Sequence, residues 1–126
     1  MPPSAEDEDK LGYGSIVYAD FYNSAQENAA GPHYAVVLDT TDEVKAQLAL
    51  PNPQLYVVVI STKLYIHPDT TQRPVFPRWG LKGAIQGWWR EYLSWAGVHS
   101  VWPTKAAIPE MAKITAFIRS LPPPPK

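Results

Sequence analysis

Proline placement is the feature that most constrains what this chain of 126 residues can fold into. The chain contains 14 prolines, six of them in its terminal segments. The others are spread through the interior, at positions 32, 51, 53, 68, 74, 77, 103 and 109. A proline inside a helix removes a backbone hydrogen bond and clashes with the preceding turn. Prolines at this spacing therefore exclude a bundle of long helices and favour short strands joined by turns.

Length and composition narrow the class of protein further. We expect a single domain over residues 11–121, between an acidic disordered tail at 1–10 and a proline-rich tail at 122–126. The absence of cysteine excludes disulfides and thiolate metal sites. No apolar run approaches the roughly 20 residues that a membrane span needs, and residues 1–10 lack the apolar segment of a secretory signal. The expectation is a cytoplasmic protein with no membrane partner.

Charge is divided unevenly between the two halves of the chain. Residues 1–60 hold two basic and nine acidic residues, a net charge of −7, whereas residues 61–126 hold nine basic and three acidic ones, a net of +6. Such asymmetry is a reason to look for a polyanionic partner. The alternative is that the two halves neutralise each other in the folded protein.

Apolar segments in the first half predict three strands. They are Ser15–Phe21, His33–Leu38 and Gln54–Ser61, the last being the richest in β-branched and aromatic residues. Between the second and third segments, residues 40–50 favour a helical turn capped by Thr41.

The second half predicts an irregular segment, one or two further strands and a final helix. Three prolines limit residues 62–79 to loops or edge strands. Leu81–Ser94 favours strands with bends, and Val98–Trp102 alternates like a strand. Apolar residues at helical spacing over Pro109–Leu121 predict an amphipathic helix. The fold class is thus mainly β: a small barrel of about five to seven short antiparallel strands with a C-terminal helix.

Basic and aromatic side chains are interleaved in the middle of the chain. The basic ones are Lys63, Arg73, Arg78, Lys82 and Arg90, and the aromatic ones include Phe76, Trp79, Trp88 and Trp89. Cations bind phosphates and aromatic faces stack on unpaired bases, so the segment predicts a surface for single-stranded nucleic acid. The alternative is that at least one of Trp88 and Trp89 is a core residue. The three histidines are far apart in sequence, and no metal site or cofactor is expected.

Two stretches resemble the opening of the MazF/PemK family of toxin endoribonucleases. Gly14–Phe21 is similar to the family's glycine followed by an apolar strand that ends in Asp, and Glu27–Leu38 to its loop and second strand. Val57–Lys63 resembles the apolar strand that ends in Thr or Ser, and Pro109–Leu121 the closing helix. The likeness covers residues 12–63 and 98–121.

The resemblance implies an SH3-like (PemK-like) barrel that forms a homodimer. It also implies metal-independent cleavage of single-stranded RNA and a cognate antitoxin that blocks the RNA groove. Such cleavage needs a base near the 2′-hydroxyl, an acid for the leaving oxygen and donors for the charge on phosphorus.

The family's pattern can be carried onto individual residues of this chain. The position of its catalytic Arg is occupied by His33, whose imidazole can act as acid or base. Ser61 and Thr62 stand where the family has Thr and Ser, and we expect them to donate to a phosphate oxygen. Arg73 or Arg78 is expected to replace the missing cation. RNA contacts are expected from Lys63, Arg73, Arg78, Lys82 and Trp79.

Other functions remain open from sequence alone. Without the family's Arg, the same barrel is also compatible with a binding module for nucleic acid or protein that does not cleave. The prolines at 122–125 suit a ligand for an aromatic groove on another protein. The acidic residues at 6–9 suit either a solubilising tail or a segment that competes with RNA.

Overall fold

A six-stranded antiparallel sheet organises the chain, with strand order β4-β5-β3-β2-β1-β6. The computed structural model describes residues 11–21, 31–62 and 69–123. The strands are β1 (Ile16–Phe21), β2 (Gly31–Val37), β3 (Gln54–Ser61), β4 (Gln72–Pro74), β5 (Ala84–Ser94) and β6 (Val98–Val101). The α-helices in this part of the chain are α1 (Thr41–Leu48) and α2 (Ile108–Ser120). The predicted fold class, a mainly β protein with a C-terminal helix, is confirmed.

Both faces of the sheet are buried, which explains the continuous apolar runs of β2 and β3. Alternate residues such as Val36 and Val58 belong to a cluster that α2 covers with Met111 and Ile114. Their neighbours in sequence belong to a second cluster, which includes Phe21, Ala35, Val59 and Trp89 and which α1 covers with Val44. Burial on both faces makes period-2 alternation disappear from the sequence.

Strand β5 bends sharply in the middle. Between the pairs Val58–Arg90 and Ile60–Ile85, β3 advances two residues while β5 advances five. The Arg90 side chain closes the bulge by donating to the Gly87 carbonyl at 3.0 Å. A side chain at Gly87 would collide with Leu121 and Phe117, so the glycine allows α2 to pack onto the bend.

Most predicted elements lie where the sequence placed them, within one or two residues. The strand Gln54–Ser61 has the predicted bounds, and the last helix starts and ends one residue earlier than predicted. The predicted N-cap of α1, Thr41, was wrong. The N-cap is Thr40, which forms a reciprocal capping box with Glu43. Thr40 is favoured as the N-cap because the Glu43 carboxylate, three positions later, accepts a hydrogen bond from the Thr40 backbone N–H.

Some predictions fall on residues that the structure does not describe. They include the acidic tail at 1–10, the last three residues of the proline-rich tail, and Lys63. No helix in the described part of the chain is long and apolar enough to cross a membrane.

Candidate active site

His33 lies at one end of the sheet, in the second strand. It is paired with Ala19 of β1, and its ring is half-buried between two aromatic rings. The His33 ring centroid is 6.1 Å from that of Phe21 and 5.1 Å from that of Trp89, with both rings edge to face. These contacts fix the side of the sheet on which the imidazole lies and limit its rotation.

Ser61 and Thr62 lie at the same end of the sheet. The β2–β3 register pairs Tyr34 with Ile60, and one further residue along this register places His33 opposite Ser61. Directly opposed residues of antiparallel strands share a face. Ser61 is 3% exposed, whereas Thr62, the next residue, is exposed. The register therefore brings His33 and Ser61 to one face at this end of the sheet, and Thr62, one residue past the end of β3, is the exposed hydroxyl.

A glycine turn holds the end of β3 in position. Gly83 has φ +105°, and a Cβ at this residue would lie 2.5 Å from the Ser61 carbonyl oxygen and 3.1 Å from the Thr62 backbone nitrogen. Only glycine permits this close approach in this conformation. The exposed side chain of Lys82 precedes Gly83 directly, so Lys82 is the cation beside this turn among the predicted RNA-binding residues that the structure describes.

Trp89 and Glu91 were not predicted as members of this site. The Trp89 ring is 5% exposed, and its indole N–H donates to the Glu91 carboxylate at 2.7 Å. The same indole contacts His33, so one buried ring connects the imidazole to a carboxylate. The bulge in β5 places Trp89 here, and strand propensity alone does not predict a bulge of this size.

Arg73 lies away from His33. It is in the edge strand β4, opposite Ile85, and Ile85 is opposite Ile60. Arg73 is therefore three strands away from β2. It lies on the face that α2 covers, with its guanidinium carbon 4.6 Å from the centre of the Phe76 ring. The structure does not bring Arg73 together with the other predicted site residues.

Arg78 is bound to the start of α2. Its guanidinium donates to both carboxylate oxygens of Glu110, at 2.6 and 3.3 Å, and to the Lys105 carbonyl at 2.7 Å. The hydrogen bonds from Arg78, together with those from the Ala107 backbone and the Trp79 indole, lower the pKa of Glu110 to about 2. In this structure Arg78 joins the segment before β5 to the helix.

The expectation for Trp79 needs correction. Its side chain is 1% exposed, lies in the cluster beneath α2, and donates from the indole N–H to Glu110 at 3.0 Å. A buried ring offers no face on which a base can stack. Trp79 occupies the core because a large apolar residue at a helix–sheet junction gains more from burial than from exposure.

A second polar cluster lies at the β1–β6 edge. The Nε2 atom of His99 is 2.7 Å from Oδ2 of Asp20, and the two side chains are 44% and 17% exposed. The ring of Tyr18 lies 6.0 Å from that of His99 and 4.7 Å from that of Tyr34. We call Tyr18, Asp20, Tyr34 and His99 the tyrosine–histidine patch. No local motif in the sequence links His99 to Asp20, 79 residues away.

Within residues 11–21, 31–62 and 69–123, no group of three or more His, Cys, Asp or Glu side chains is arranged to hold a metal ion. The groups near the end of β3 include the His33 imidazole, the hydroxyls of Ser61 and Thr62 and the ammonium group of Lys82. Imidazole and hydroxyl groups suffice for proton transfer and for hydrogen bonding to a phosphate.

Solved structures share this architecture, although no protein-family model and no curated protein sequence matches the chain. MazF from Deinococcus radiodurans aligns with a TM-score of 0.67 and 14% identity, over 87% of this chain and 94% of that one. A MazE–MazF structure from the same organism gives a TM-score of 0.64 at 14% identity, with the same coverage. A mycobacterial endoribonuclease in complex with its cognate antitoxin gives 0.64 at 14% identity, over 90% and 99% of the two chains. The chain has a MazF-like fold.

Proposed function

We propose that this protein is a metal-independent endoribonuclease that cleaves single-stranded RNA and acts as the toxin of a toxin–antitoxin pair. The observation that carries the proposal is the β2–β3 register, which puts His33 at the same end of a MazF-like sheet as Ser61 and the Thr62 that follows it. Structures of this fold include a protein named an endoribonuclease and complexes with an antitoxin. Fold likeness at 14% identity supports the proposal only together with that side-chain arrangement.

The proposed reaction uses the ribose 2′-hydroxyl as the nucleophile. His33 accepts the proton of the 2′-hydroxyl while the 2′-oxygen attacks phosphorus. The bond from phosphorus to the 5′-oxygen then breaks, the leaving oxygen takes up a proton from water, and His33 afterwards releases its proton to solvent. The products are a 2′,3′-cyclic phosphate and a 5′-hydroxyl. An imidazole suits the first step because its ordinary pKa lies near neutrality.

The remaining residues of the site stabilise charge on the phosphate. The exposed Thr62 hydroxyl donates to a non-bridging oxygen, and Lys82 supplies the positive charge. Ser61 is almost fully buried, so it supports the end of β3 beneath Thr62. Trp89 holds the imidazole by its edge-to-face contact.

The partners follow from the same proposal. The substrate is single-stranded RNA, the inhibitor is a cognate antitoxin, and the active form is a homodimer in the cytoplasm. One folded domain over residues 11–121 carries the activity.

A cleavage assay with a matched variant tests the function. Wild-type protein and His33→Ala, purified identically, are incubated with a long single-stranded RNA in excess EDTA and analysed on a denaturing gel. We expect discrete cuts by the wild type and none by the variant, which also controls for contaminating nucleases. Salt-sensitive RNA binding without cuts would instead identify a binding module. Equal cutting by both proteins would contradict the role of His33.

A further inference from the structure

The tyrosine–histidine patch lies beside the proposed active site, and nothing in the proposed reaction uses it. Ala19 of β1 is paired with His33 of β2 on one side and with Val98 of β6 on the other. His99 follows Val98, so His33 and His99 are held two strands apart at the same end of the sheet. Two strand spacings are about 10 Å.

The patch is on the opposite face of the sheet from His33. Alternate residues of a strand point to opposite faces, and Tyr34 directly follows His33. The Tyr34 ring lies 5.3 Å from that of Trp102, which packs against the cluster under α2. His99 and His33 therefore cannot act on the same phosphate, and the patch contacts a different part of a bound strand.

The chemistry of the patch suits a nucleobase better than a phosphate. Tyr18 and Tyr34 are partly exposed rings in contact with each other. Aromatic rings of this kind stack on unpaired bases. The Asp20 carboxylate repels a phosphate but can accept from the N–H groups of a base edge. The His99 ring, 44% exposed and oriented by Asp20, adds a hydrogen-bonding group at the rim.

We propose that the tyrosine–histidine patch is a subsite that binds one unpaired nucleobase, close to the cut in the RNA strand. Tyr18 and Tyr34 provide the stacking surface, and the Asp20–His99 pair contacts the edge of the base. The inference rests on the proposed function, because it assigns a second contact to the same bound RNA. The strand then crosses the end of the sheet from β2 towards β6.

A coupled substitution experiment tests the subsite. The probe is an RNA oligonucleotide built around a cut made by the wild-type protein, with a 2′-O-methyl ribose at that cut to prevent cleavage. Binding is measured by fluorescence anisotropy for wild type, Tyr18→Leu and Tyr18→Phe. Tyr18→Leu preserves bulk but removes the aromatic face, and we expect it to weaken binding about tenfold. Tyr18→Phe retains the ring and should bind within about twofold of the wild type.

Removing single bases from the probe locates the contact. At one position near the cut, an abasic nucleotide should weaken binding by the wild type but have no further effect on Tyr18→Leu, because both changes remove the same contact. His99→Ala, at a largely exposed residue, should show the same coupling if Tyr18→Leu proves unstable. Tyr92→Leu is the matched control, since Tyr92 is a 68% exposed tyrosine paired with Tyr56 far from His33 along the sheet.

Failure of the proposed subsite and failure of the proposed function give different results in these experiments. If the wild type makes no cut, the proposed function fails and the subsite with it. If it cuts, but Tyr18→Leu and His99→Ala bind like the wild type, the subsite alone is contradicted. A loss of affinity that is equal at every abasic position, without coupling, also contradicts it.

Discussion

The imidazole of His33 meets the indole of Trp89 edge to face, with ring centroids 5.1 Å apart and ring planes at 68°. The two residues come from β2 and from the bulge of β5, 56 positions apart in sequence. Because the same indole donates to Glu91, Trp89 ties the orientation of the imidazole to a partly buried hydrogen bond. Trp89 is therefore a positioning residue for the proposed reaction.

Substitutions of Trp89 should distinguish an effect on the orientation of the His33 ring from an effect on RNA binding. Trp89→Phe keeps an aromatic ring beside His33 but loses the N–H that satisfies Glu91, so the free energy of unfolding should fall by about 1–2 kcal/mol. Trp89→Leu removes the ring as well, and kcat for RNA cleavage should fall about tenfold more than in Trp89→Phe, with KM little changed. Single-turnover rates measure this effect. A folded Trp89→Leu protein that cleaves at the wild-type rate would contradict the positioning role.

Two glycines near β5 should respond differently to alanine. A Cβ at Gly83 meets the backbone of Ser61 and Thr62, so Gly83→Ala should lower the free energy of unfolding by more than about 2 kcal/mol and reduce cleavage. Gly80 has φ +71° with nothing within 4 Å of a Cβ. Gly80→Ala should therefore cost only about 1–2 kcal/mol, from the backbone conformation. Urea unfolding of both variants tests the difference, and equal losses would show that the Gly83 contact does not matter.

Ionisation of Glu110 should make the free energy of unfolding depend on pH in the acid range. Its pKa is lowered from 4.5 to about 2 by Arg78 and its other donors, so the ionised carboxylate stabilises the folded state at every pH above 4.5. The contribution is lost as pH falls from 4.5 towards 2. With allowance for the exposed Arg78 side chain, we expect Glu110→Gln to cost about 2 kcal/mol at pH 6. The difference from the wild type should shrink towards pH 2 in denaturant unfolding, and a constant difference would contradict the ion-pair account.

Lys82 and Arg73 should differ in how they affect RNA binding. Lys82 is exposed beside the end of β3, whereas Arg73 lies over Phe76 on the other face of the sheet. A plot of the logarithm of the RNA association constant against the logarithm of salt concentration has a negative slope. Lys82→Ala should reduce the magnitude of this slope by about 0.7, the value for one phosphate contact on a single strand. Arg73→Ala should leave that slope unchanged. Salt titrations with an RNA that cannot be cleaved measure both slopes. A larger change for Arg73 would place the RNA over β4 and contradict the assignment of Lys82.

Sequence predicted the elements of this fold better than their contacts. The strand Gln54–Ser61 and the final helix carry strong local signals, namely β-branched residues and apolar spacing at helical period. Those signals survive in the structure because local preference and tertiary packing agree there. Bends were predicted for Leu81–Ser94, but the position and size of the bulge in β5 were not, since they depend on Gly87 receiving the end of α2.

The site was predictable where it lies on consecutive residues of one strand. Ser61 and Thr62 end a strongly predicted strand, and His33 begins another, so only the register between them was unknown. The burial of Trp79 and the Asp20–His99 pair depend on residues 31 and 79 positions away. Composition alone cannot distinguish a tryptophan that binds a ligand from one that fills a core.

The most direct test of the account is the chemistry of the RNA ends after incubation in EDTA. We predict that the wild-type protein leaves a 2′,3′-cyclic phosphate on one fragment and a 5′-hydroxyl on the other. His33→Ala, with an unchanged unfolding transition, should leave the RNA intact. Intact RNA with the wild-type protein, or cleavage that persists in folded His33→Ala, would contradict the central claim that this sheet end is a metal-independent ribonuclease site.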